Sequence, residues 1–114
     1  MQSNALYVLH EVKNLLNLVN DDTQDDLLKT IINNVNGRLL TYTGYDVLPN
    51  AILWILIEIT CSRYNLLGSE GVHSELNEGI QYIYDKNLLD EYRDELDKFI
   101  SMYPPRQYRK FRMI

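Results

Sequence analysis

The chain has 114 residues, 46% of them apolar, which is enough for one hydrophobic core and too few for two comfortable domains. Its longest unbroken apolar run, "AILWILI" at 51–57, is far below the roughly 18–20 residues of a bilayer-spanning helix, and "MQSNALYVLHEVK" lacks the basic start, apolar block and cleavage site of a signal peptide, so the chain is expected to stay in the cytoplasm where it is made. The formal charge of −5 divides unequally: residues 104–114, "PPRQYRKFRMI", carry four cations and no acid, leaving seven cations against all 16 acids, or −9, on residues 1–103.

Leu6, Leu9, Val12, Leu15, Leu16 and Val19 keep the three-and-four spacing of one helix face and predict a first helix over 6–18. "NDDTQDD" ends it and opens the next: an Asp or Thr there can cap free amides, while Asp25 and Asp26 favour the positive N-terminal end. The second helix carries Leu28, Ile31, Ile32, Val35, Leu39 and Tyr42 on one face, with Gly44 as a left-handed stop. Gly37 inside it costs about 1 kcal/mol relative to alanine, so it marks either a close helix contact or a tolerated weakness. After the connector "YDVLPN", Pro49 suits the first turn of a third helix, where its missing amide would be unpaired anyway. That helix runs to about Leu67 and is apolar on nearly every side, which predicts a central element enclosed by the other helices or by a neighbouring subunit. Glu58 and Arg63 interrupt it as a polar stripe reaching solvent or a subunit contact.

Between residues 70 and 86 the period changes. Val72, Ser74 and Leu76 alternate against His73 and Glu75, and Ile80, Tyr82 and Tyr84 against Gln81, Ile83 and Asp85, with a turn at Asn77, Glu78 and Gly79. A hairpin is predicted, and because an isolated one is marginal in water it lies on the helices or pairs with another chain. The last helix starts near Asn87 as cap, with Asp90 and Glu91 in its first turn and Leu89, Tyr92, Leu96, Phe99 and Tyr103 as its stripe. Pro104 and Pro105 stop it. The expected fold class is therefore mainly α: a small bundle of about four helices with one β-hairpin inserted before the last, forming a single domain over 1–103. A basic tail, 104–114, follows, with Tyr108, Phe111 and Met113 among its cations and too little apolar surface to fold alone.

No catalytic, cofactor-binding or metal-binding set emerges. Cys61 lies on the most apolar helix, reads as a buried inert thiol and cannot form an internal disulfide. His10 and His73 belong to separate elements, and His73 with Glu75 lacks a third metal ligand at useful spacing. "DDTQDD" lacks the order and glycine turn of a calcium loop, and neither Gly68 nor Gly71 opens a phosphate loop. A DNA-reading helix at 50–67 would offer only Arg63, its isoleucines and leucines belonging in a core.

Taken together, "LHEVKNLLNLVNDDTQDDLLKTIINNVNGRLLTYTGY", "LPNAILWILIEITCSRYNLLGSEGVHSE" and "LLDEYRDELDKFISMYPPR" resemble the head-to-tail connector (adaptor) proteins of tailed bacteriophages over residues 6 to about 103. The likeness rests on the acidic turn before "DLL", the "YTG" stop, the apolar helix after proline and the "EGVHSE" loop before a short last helix. It implies a non-enzymatic virion subunit without cofactors, about a dozen copies of which form a ring under the portal protein. That ring extends the DNA channel and receives a tail-side head-closure (stopper) protein. DNA is expected to pass without sequence-specific binding, since an acidic wall does not retain phosphates.

Under that resemblance two segments are the expected interface. In the hairpin these are Val72, His73, Ser74, Glu75, Leu76, Ile80, Tyr82 and Tyr84, reaching a neighbouring subunit or the tail-side partner. In the tail they are Arg106, Tyr108, Arg109, Lys110, Phe111 and Arg112, ordering against the portal or a neighbouring connector. The alternatives are a hairpin that covers its own bundle and a tail that is solvated and dispensable. Two other functions stand beside the connector: a DNA-packaging accessory or regulatory protein binding nucleic acid through its basic tail, and a host oligomerisation module.

Overall fold

Four stretches of apolar residues at helical spacing become four α-helices in the computed structural model, which describes residues 2–69 and 89–106, the side chains of residues 2–4, 68 and 69 excepted. They are α1 (Gln2–Leu16), α2 (Asp25–Thr43), α3 (Leu53–Ser69) and α4 (Arg93–Met102), with 3-10 turns at Asn50–Ile52 and Asp90–Tyr92 leading into the last two. The expected hairpin at 70–86 lies outside the described residues, as does the tail beyond Arg106; among the described residues there is no strand.

The first helix buries part of the face that its spacing predicts, joined by Val8. Val8 and Val12 are buried and Leu9 and Leu16 pack beside them, whereas Leu6, Leu15 and Val19 are exposed at 68%, 64% and 47%. At 100° per residue, Leu6 and Leu15 fall on opposite flanks of the buried stripe. Val19 is not helical at all, because Asn17 turns left-handed (φ 61°) and the Leu18 amide closes back on the Lys13 carbonyl at 2.8 Å. Asparagine tolerates that conformation better than most residues and ends the helix there.

The second helix follows its predicted face. Leu28, Ile31, Ile32, Val35 and Leu39 are buried and Tyr42 packs against the same core. Gly44 is left-handed (φ 85°) and its amide bonds the Leu40 carbonyl at 2.8 Å. The expected Asp or Thr cap is not made: Gln24 occupies the cap position without a side-chain cap bond. The reason is competition, since Asp21 accepts from the Thr23 amide and hydroxyl and Asp22 from Lys13. Gly37 has open space where a Cβ would stand, so it is a tolerated weakness rather than a close helix contact.

The third helix is the central element, packing against both α1 and α2. Ile55 is fully buried and Leu53, Leu56, Ile57 and Ile59 nearly so. Pro49 sits one step earlier than predicted, in an extended conformation at the cap of the 3-10 turn. Not every side is enclosed: Trp54, Glu58, Ser62 and Asn65 form an exposed outer strip. The Thr60 hydroxyl is buried with no hydrogen-bond partner among the described residues.

The last helix contributes one fully buried side chain, Leu96, flanked by the partly buried Leu89, Tyr92 and Phe99. Tyr103, expected in the stripe, is 57% exposed because the helix has already ended at Met102. Asp90 and Glu91 stand in the 3-10 turn rather than in the first α-turn, which holds Asp94 and Glu95. Asn87, the expected cap, is outside the described residues. Tyrosines fasten the helix to the rest: the Tyr42 hydroxyl donates to Asp97, that of Tyr45 to the Tyr103 carbonyl and that of Tyr92 to Glu58 at 3.0 Å. Edge-on ring contacts join Trp54 to Tyr92 and Tyr45 to Phe99. Pro105, read from sequence as tail, is buried.

Candidate assembly interface

Several polar side chains in this body are occupied with each other. Lys13 is 8% exposed, and its ammonium is gripped by Asp25 at 2.8 Å and Asp22 at 2.9 Å. The acidic turn that resembles a cation loop thus already holds a cation, the side chain of α1. Asp25, then Asp22, holds Lys13 above the ordinary lysine range. Asp21 is held below the ordinary carboxylate range by the Thr23 hydroxyl and, next, the Thr23 amide. Among the described residues no group of three or more His, Cys, Asp or Glu side chains is placed to hold a metal.

At the other end of α2, the hydrogen bond to Asp97 raises the Tyr42 phenol above its ordinary value, with burial adding to it. Tyr42 and Lys13 therefore act in the same sense. A group whose folded pKa is raised adds stability that is fully present below its unfolded pKa and is lost as pH rises through the folded value. The unfolded values are about 10 for tyrosine and about 10.4 for lysine. Chemical denaturation is thus expected to show stability falling above about pH 10, and the double variant Lys13→Met, Tyr42→Phe to show a flatter alkaline limb. An equally steep fall in the variant would rule these two groups out as its source.

Other residues singled out by sequence are dispersed. Cys61 is partly buried, and burial, with the Glu58 charge second, pushes its thiol up, away from the reactive thiolate. Glu58 accepts the Tyr92 hydroxyl, and Arg63 lines a broad polar depression with Arg38, Asn33, Asn34 and Thr41 on α2. His10 is exposed on α1, away from any such group. These positions do not converge on one point.

What the surface does offer is apolar area. Leu6, Tyr7 and Leu15 on α1, Leu27 on α2, Val47 in the connector, Trp54 on α3, Met102 at the end of α4 and Tyr103 after it are each more than a third exposed. Sequence spacing had assigned Leu6, Leu15 and Tyr103 to the core, so their availability was hidden by the same regularity that suggested burial. Charge is the second feature: Asp90, Glu91, Asp94, Glu95 and Asp97 are all exposed against the two exposed cations Arg93, paired with Asp90, and Lys98, giving α4 and its leading turn a net negative outer side.

Of the interface positions expected from sequence, Arg106 alone is among the described residues, and it is exposed. Val72, His73, Ser74, Glu75, Leu76, Ile80, Tyr82 and Tyr84, and Tyr108, Arg109, Lys110, Phe111 and Arg112, lie outside them. Among the described residues no helix is long and apolar enough to cross a membrane. A family model described as "Phage gp6-like head-tail connector protein" matches residues 7–99. Comparison with curated proteins and with solved structures found no match.

Proposed function

The chain belongs to the phage gp6-like head-tail connector family, a structural family of the virion, and from that membership we propose that about a dozen copies close into a ring beneath the portal protein. In this reading the ring extends the DNA channel and presents its far side to a tail-side head-closure (stopper) protein. Subunits are made in the host cytoplasm and carried in the virion at the head-to-tail interface. The observation that carries the proposal is the extent of the family match, Tyr7 to Phe99, which takes in most of every helix and the whole of 70–88.

The surface supports it. A ring of identical copies needs two unlike faces on each subunit, and the exposed apolar residues stand on separate elements, α1 and the end of α4 among them. The hairpin segment, Val72–Leu76 with Ile80, Tyr82 and Tyr84, is one arm of that contact in the proposal, and the basic tail from Arg106 is a second. In this reading the outer side of α4, with five exposed acids against Arg93 and Lys98, holds DNA phosphates only weakly, so passage is not retarded.

The competing reading, a packaging accessory that binds nucleic acid, draws on the four cations of the tail. One preparation separates them. The full chain mixed with the portal protein of its phage and imaged by electron microscopy is expected to show a ring seated on the portal. A chain that leaves intact portals bare, yet binds DNA in a salt-dependent way lost on deleting residues 107–114, would overturn the connector ring in favour of the accessory. The deletion begins after Arg106 so that buried Pro105 stays in place.

A further inference from the structure

A groove of about 210 Å³ with a largely apolar lining opens between the start of α1, α2 from Ile32 to Leu40, the connector at 46–48 and the start of α3. Val8, Leu40, Leu48 and Leu53 line it together with Asn33 and Asn36, and Val47, 44% exposed, stands there beside the exposed carboxylate of Asp46. An apolar cavity of about 150 Å³ accepts one benzene ring. This groove therefore has room for one aromatic side chain and little more.

The chain beyond Arg106 carries such a ring between two cations. In "QYRKFRMI", residues 107–114, Phe111 is flanked by Lys110 and Arg112, so a phenyl ring on the apolar floor brings a cation to the Asp46 carboxylate. The described chain ends three residues beyond a point tied to the connector. Tyr45 fixes the Tyr103 carbonyl, Pro105 is buried, and Asp46 and Val47 follow Tyr45 directly. The five residues from Arg106 to Phe111 reach up to about 16–18 Å. A short tether gives an effective concentration in the millimolar range, an advantage that the tail of a separate copy does not have.

We propose that Phe111 of the chain's own C-terminal segment seats in this groove, with a flanking cation paired to Asp46. The seat holds the basic tail against the acidic body of the free subunit and withholds its cations from DNA and from acidic partners. The inference goes beyond the connector ring and does not depend on it.

The test uses the full chain alone, with Cys61→Ser as background and Val47→Cys and Met113→Cys as a reporter pair that leaves Phe111 in place. Mild oxidation of the dilute monomer is expected to give an intramolecular disulfide, formed about tenfold more slowly when Phe111→Ala removes the anchoring ring. A disulfide between chains would make a second copy the occupant, and a rate unaffected by Phe111→Ala would mean that nothing seats there. Either result overturns the proposal. Because no portal is present, neither bears on the ring.

Discussion

Replacing Ile55 by alanine is expected to remove about 2–5 kcal/mol of stability, by lost burial and by the cavity left behind. Ile55 is fully buried on α3, the helix against which both α1 and α2 pack. Neighbours held on several sides cannot collapse into the space, which places the cost toward the upper part of that range. Domains of this size have only about 5–15 kcal/mol in total, so a large fraction of the variant is expected to be unfolded at moderate temperature. Urea denaturation followed by circular dichroism checks this: the midpoint should fall sharply with the slope nearly unchanged. A midpoint close to that of the parent would mean that α3 is not the element on which the others depend.

Leu96→Ala is expected to lose a similar amount, about 2–5 kcal/mol, but to spend it locally. Leu96 is the one fully buried side chain of α4. The remaining ties are the partly buried Leu89, Tyr92 and Phe99, the buried Pro105 that follows, ring-edge contacts, and tyrosine hydroxyls bonded to exposed partners, and such hydrogen bonds contribute about 0.5–1.5 kcal/mol each. Without Leu96 these do not hold a ten-residue helix that would be marginal in isolation. Hydrogen exchange in Leu96→Ala should therefore show α4 amides losing protection while those of α1, α2 and α3 keep most of theirs. Uniform loss across all four helices would show that α4 belongs to the same cooperative unit as the rest. Because Pro105 and the tail follow α4, the variant also tests whether ring contacts need that helix docked.

The helices, the buried face of α2, the central place of α3 and the family are all legible in the residue order. A helix is a local matter: three-and-four spacing sustained over the 19 residues of α2 leaves one face to bury, and a helix apolar nearly all round must go to the middle. Gly44 could be read as a stop for the same reason, since its positive φ answers a purely local need. The division of charge between body and tail is likewise a property of composition.

Which face of α1 turns inward, and what each polar group meets, follows from how the helices pack. Apolar spacing gives a period, whereas the phase depends on where α2 and α3 stand, and α1 has leucines on its flanks as well as in its stripe. Thus Val8 and Val12 are buried while Leu6 and Leu15 remain exposed. The acidic turn gave no sign that Lys13 from the preceding helix would settle between Asp22 and Asp25 in place of a helix cap. Nor did the tail's composition show that Pro105 would be buried. In each case the deciding partner is distant in sequence or belongs to another element, and its position exists only once the helices have packed.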